Sequence, residues 1–173
     1  MPINVNYRHP LIAWVKGLVQ HYNHEKYWRY RKFVTSPESK GVYPRIKKWL
    51  YLFYIKRCDA YNNSSFGTDM SAGALFKTPP KLPHGPNGII ISPYATIGKN
   101  CKIYQQVTIG DNGADYLSAP IIGDNVIIGA GAKITGKITI GNNVKIGTNA
   151  VVVENVPDNA TVVAPKARII SKL

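Results

Sequence analysis

Two patterns of apolar residues divide the chain. From Leu11 to Phe33 the run LIAWVKGLVQHYNHEKYWRYRKF places Leu11, Trp14, Val15, Leu18, Val19 and Tyr22 at helical spacing, which predicts an amphipathic helix. SPESKG reads as a loop. Ile46 to Tyr61 predicts a second helix, with Lys47, Lys48, Lys56 and Arg57 flanking its apolar centre. From about residue 66 the helical period is lost and a period of six replaces it. Aliphatic residues stand at Ile91, Ile97, Ile103, Ile109, Ile122, Ile128, Ile134, Ile140, Ile146 and Val152; eight of the nine intervals are six residues, and the one from Ile109 to Ile122 is thirteen. Glycine follows the aliphatic residue at Gly98, Gly110, Gly123, Gly129, Gly141 and Gly147. Four places on, the residue is small or β-branched: Ala95, Cys101, Val107, Val126, Ala132, Val144, Ala150 and Val156. Met70, Phe76 and Leu82 extend the frame upstream, before a nine-residue step to Ile91.

A register of six held this long predicts a parallel β-helix of hexapeptide rungs. Each hexapeptide supplies one short strand and one turn. The aliphatic residue points inward and stacks on its equivalents in neighbouring coils, while glycine or asparagine at the turn tolerates positive φ. A β-sandwich would place its turns every eight to twelve residues, and this spacing does not. The chain is therefore expected to be mainly β, with residues 1–65 a helical extension and 66–173 the repeat domain.

Charge sharpens that division. The net charge is +13, and residues 1–62 hold twelve Lys/Arg against three Asp/Glu, whereas residues 63–173 hold ten against six. The excess favours an anionic partner. Nucleic acid would need a recognisable binding motif as well as charge, and none is present. No apolar run reaches the length of a spanning helix, and the N-terminus lacks the order of a secretory signal. Cys58 and Cys101 have no metal-ligand spacing. A cytoplasmic setting without a metal site is expected.

One histidine lies in the repeat region: His84, in the turn LPHGPNG that makes the nine-residue step. On its residues alone it reads either as a turn histidine bonding backbone or as a base poised near neutral pH. The segments LPHGPNGIIISPYATIG, IYQQVTIGDNGAD, IIGDNVIIGAGAKITGKITIGNNVKIGTNAVVVENVPDNATVV and PKARII resemble the left-handed β-helix of the hexapeptide acyltransferases, within the serine acetyltransferase-like branch. VTIGDNGAD and VPDNATVVAPKARI look closest to the colanic-acid type of O-acetyltransferase.

That resemblance implies a set of roles. His84 would be the general base for direct acetyl transfer from acetyl-CoA to a hydroxyl. Gly110 would lie beside the thiol end of the coenzyme, and Ala130, Gly131 and Ala132 would line its pantetheine arm. Repeat grammar alone would also put small residues there. Lys166 and Arg168 would meet its phosphates as charge-assisted donors, or belong to a solvated tail. The extra residues after Ile109 form a loop expected beside the active site, where Asp111, Asn112 and Asp115 would bind acceptor hydroxyls or hold His84. The family assembles as trimers with sites between subunits, and related serine enzymes pair trimers into hexamers.

Two departures bear on the acceptor. Pro83 stands where the family has an aspartate before the histidine, and Ser118-Ala119-Pro120 stands where serine acetyltransferases carry a second histidine. Both argue against L-serine and towards a sugar hydroxyl in exopolysaccharide or capsule synthesis. Serine O-acetylation and a non-catalytic scaffold are the alternatives. The tryptophans, tyrosines and cations of residues 1–61 suit a membrane interface, where a lipid-linked saccharide would be modified at the inner face of the cell membrane. The plainer reading of that extension is a helical cap on the β-helix.

Overall fold

A computed structural model of the protein describes residues 10–19, 21–37, 41–113, 115 and 117–170. Among the described residues three helices come first: α1 (Pro10–Val19), α2 (His24–Thr35) and α3 (Val42–Tyr61). The single helix expected over Leu11–Phe33 is therefore two. His21 takes a positive φ of 50°, and Asn23 caps α2, its side chain accepting from the Lys26 backbone N–H at 2.9 Å. An asparagine able to accept at an N-terminus competes with continued helix. The third helix begins four residues earlier than expected, with Pro44 in its first turn, where a missing N–H costs nothing.

An antiparallel hairpin follows, β1 (Thr68–Asp69) with β2 (Ala72–Gly73). Met70 lies in the turn of this hairpin and not on a rung, so the six-residue frame does not extend to it. The remaining strands form three parallel four-stranded faces of a triangular prism. One face holds β3 (Leu75–Phe76), β5 (Thr96–Ile97), β8 (Ile121–Ile122) and β11 (Thr139–Ile140). The next holds β6 (Lys102–Ile103), β9 (Ile127–Ile128), β12 (Lys145–Ile146) and β14 (Thr161–Val162). The last holds β4 (Ile90–Ile91), β7 (Thr108–Gly110), β10 (Lys133–Thr135) and β13 (Val151–Val152).

Register explains the period. Ile97 pairs with Ile122 and Ile122 with Ile140; Ile103 pairs with Ile128, and Ile109 with Ile134. All of these side chains are buried. Each such residue contributes on the order of 1.5–3 kcal/mol on burial. The edge between the first and second faces shows what the turns require. Asn100, Asn125, Asn143 and Asn159 all adopt φ near +60°. Their side-chain amides bond one to the next at 3.3, 3.2 and 3.0 Å. Asparagine tolerates the left-handed region, and here its side chain also ties successive coils together.

The helices seal the first coil. Trp28 of α2 packs edge-on against Phe66 and Phe76, and Tyr27 against Phe66. Arg31 is buried and donates to the Phe66 and Ala74 carbonyls and to Thr68 Oγ1. From α3, Lys48 donates to the Ser36 carbonyl and Ser71 Oγ, and Lys56 to the Thr68 carbonyl. Part of the positive charge of the extension thus fastens the helices to one another and to the β-helix.

Candidate active site

His84 sits in the turn of residues 83–88, on the prism edge that joins the second face to the third. Its side chain is exposed. The turn's shape comes from its neighbours. Gly85 and Gly88 take φ of +71° and +66°. Gly85 N–H donates to the Leu82 carbonyl, and Ile89 N–H to the Pro86 carbonyl. Gly88 N–H donates to the Asn62 carbonyl at 2.9 Å, which anchors the turn to the C-terminal end of α3. Leu82 is half-buried and packs against the core, as its place in the frame predicts.

The same edge gathers three more coils. Gln106 N–H donates to the Asn87 carbonyl, Gly131 N–H to the Gln105 carbonyl, and Asn149 N–H to the Ala130 carbonyl. His84, Ala130, Gly131 and Ala132 therefore share one edge. Ala132 is buried as an inward-pointing rung residue, while Ala130 and Gly131 are half-buried. Gly131 has a second reason to be glycine. Its φ is +72°, and a Cβ would fall 2.1 Å from Asn149 Oδ1. Beyond β14 the backbone of Val163 and Ala164 passes Gly147, also on this edge. Lys166 and Arg168 follow, both exposed.

Tyr104 was missed by the sequence reading. Its ring lies 5.8 Å from the His84 ring, centroid to centroid, tilted by 40°. The register contained the signal, because Tyr104 opens the corresponding turn one coil on. Gln105, next to it, has a buried Oε1 with no hydrogen-bond partner.

The extra loop lies elsewhere. It leaves β7 at Gly110 and returns at β8, on the edge between the third face and the first. Within one chain the loop and His84 stand on different edges, so the expectation that the loop lies beside His84 fails for a single chain. The physical reason is the period: one face of the prism separates consecutive turns. Asp111 Oδ1 accepts from the Gly113 N–H, and Asp115 Oδ1 from the Leu117 N–H, both at 2.9 Å. Ser118 Oγ donates to Asn112 Oδ1 at 3.2 Å. These side chains first of all shape the loop. Gly110 borders open space, with nothing within 4 Å of where its Cβ would be.

Residues 119–154 match the family described as Bacterial transferase hexapeptide (six repeats). A serine acetyltransferase from Staphylococcus aureus (strain Mu50) is 42% identical over 107 residues, which cover 61% of this chain and 50% of that protein. The chain thus spans about half the length of the curated relatives it matches. The crystal structure of Neisseria gonorrhoeae serine acetyltransferase in complex with serine is 33% identical, with a TM-score of 0.58; 84% of this chain and 54% of that one are covered. The structure of serine acetyltransferase in complex with coenzyme A from Brucella abortus strain S19 gives 28% identity and a TM-score of 0.63, covering 86% and 54%. These relatives overturn the exopolysaccharide reading drawn from Pro83 and Ser118-Ala119-Pro120, since they carry the name of the serine enzyme. Two local departures in the turn and loop do not outweigh a match that runs through the repeats. The rungs, the faces and these likenesses together make the chain a hexapeptide-repeat, left-handed β-helix protein similar to bacterial serine acetyltransferases.

Proposed function

We propose that the chain is an acetyl-CoA-dependent O-acetyltransferase whose acceptor is the hydroxyl of serine, with His84 as general base. The observation that carries the reading is the placement of His84. It is an exposed imidazole in an anchored turn, on the edge where the next coils present Tyr104 and then the small residues Ala130 and Gly131. A small-residue edge lets an extended pantetheine arm approach the backbone. Lys166 and Arg168 are free to reach phosphates at the far end. Acetyl-CoA supplies the activated acetyl group.

The neutral His84 imidazole takes the proton of the serine hydroxyl as its oxygen bonds to the acetyl carbon. The carbon–sulfur bond then breaks, and the imidazolium returns the proton to the departing sulfur. Backbone beside Gly110 would face the thioester oxygen, where negative charge develops. Because the loop and His84 occupy different edges, the site is completed between copies, and we expect a homotrimer. Asp111 or Asp115 of a neighbouring copy then meets the ammonium of serine, a role that Pro83 leaves open.

Thiol release from acetyl-CoA with L-serine tests this reading. The protein should turn over, and His84→Ala should lower kcat by about 10²–10⁴-fold with an unchanged melting temperature, because the imidazole is exposed. Full activity in His84→Ala would sink the base assignment. Turnover with another hydroxyl compound but none with L-serine would sink the acceptor.

A further inference from the structure

Helix α3 carries two apolar faces. Leu52, Ile55 and Cys58 are buried against the rest of the molecule. Ile46, Trp49, Leu50 and Phe53 point the other way and are 55, 65, 65 and 70% exposed. Their spacing of i, i+3, i+4 and i+7 makes one continuous stripe. Trp14 and Leu18 of α1 are exposed in the same manner. Contiguous apolar surface of this kind marks a docking face, whereas scattered exposed residues do not.

The surroundings of the stripe select the partner. Arg45 and Arg57 flank it in solvent, and Lys47 borders it with its ammonium over the Phe33 and Tyr51 rings. The one acid of α3, Asp59, is buried on the opposite face. The exposed surface of α3 is thus apolar, aromatic and cationic, with no carboxylate. A two-fold contact with a second copy would set Arg45, Lys47 and Arg57 against the same cations. An anionic bilayer offers complementarity to every part: acyl chains for Ile46 and Phe53, the interfacial zone for the Trp49 indole, and phosphates for the cations. Among the described residues no helix is long and apolar enough to cross a membrane, which fits a helix lying in the surface.

We propose that the outer face of α3 docks the protein onto a lipid bilayer with anionic headgroups. Flotation of the full chain with vesicles of phosphatidylcholine alone, and of phosphatidylcholine mixed with phosphatidylglycerol, tests this. The protein should float with the mixed vesicles, with a blue shift in tryptophan emission and weaker binding at high salt. Trp49→Glu combined with Phe53→Glu should cut binding by about tenfold or more without changing the mass in solution. Arg45→Glu combined with Arg57→Glu leaves the apolar stripe whole, so it should abolish the preference for the mixed vesicles. Absence of binding to either vesicle would overturn the proposal. So would a drop in solution mass on Trp49→Glu/Phe53→Glu, because the stripe would then be a contact between copies.

Discussion

Gly98 and Gly110 hold the same place in the repeat yet meet different surroundings. A Cβ at Gly98 would fall 2.2 Å from the Gly123 carbonyl oxygen, a backbone atom that cannot retreat without shifting a coil. At Gly110 a Cβ would meet nothing within 4 Å. Gly98→Ala should therefore lower stability by about 1–3 kcal/mol, while Gly110→Ala should stay within about 0.5 kcal/mol. Thermal denaturation reads both. If Gly110 borders the thiol end of the coenzyme, its alanine variant should raise KM for acetyl-CoA although the fold is intact. The sequence could not separate the two glycines. Their difference is made by the coil stacked above, and the loop departs where Gly110 stands. Tyr104 was hidden for a similar reason: its importance comes from the ring in the preceding coil, which no local pattern names.

At the scale of elements, the strands were legible and the helices only partly so. The inward isoleucines fixed each rung because a slip of one residue would turn every one of them outward. The stripe of α1 promised a buried face, yet Leu11, Trp14, Val15, Leu18 and Val19 are all exposed. Periodicity states that a face is apolar, not what covers it. Between α2 and α3, Tyr27 donates to Asp59 Oδ1 at 2.8 Å, while Oδ2 is buried without a partner. Burial pushes this carboxyl from 3.8 up to about 6, against the opposing pull of the Tyr27 hydrogen bond, Lys56 and Arg31. The folded chain thus holds the proton to higher pH than the unfolded chain. Stability from this group is full below 3.8 and lost as pH rises through about 6. Asp59→Asn should keep the Tyr27 bond, remove that decline, and raise stability at neutral pH by about 1–2 kcal/mol. Denaturant unfolding across the acid range would show whether the slope disappears.

In the whole molecule the two groups of candidate site residues stand on different edges. His84 and the small residues stand on one, and Gly110 with the loop of residues 111–120 on another. If neighbouring copies bring the two together, chains defective at different edges should complement each other. Co-refolding His84→Ala chains with chains shortened within residues 111–118 should restore measurable thiol release, while either alone stays inactive. No recovery, with mixed assemblies shown to form, would place the whole site within one chain. The turn that holds His84 and the loop after Gly110 stand out in the sequence because each breaks the repeat. Their separation does not, because it depends on how three faces close into a prism.

Between the rungs of Phe76 and Val152 the count of six is suspended in two places, at the turn of residues 83–88 and at the loop of residues 111–120. Elsewhere an added or lost residue would misalign every rung that follows. In those two segments the chain is free to change length while Ile91, Ile109 and Ile122 keep their partners. Insertions and deletions tolerated during divergence are thereby channelled to the segments carrying the candidate base and the candidate acceptor groups. A lineage can revise what the protein acts on there while inheriting the scaffold unchanged.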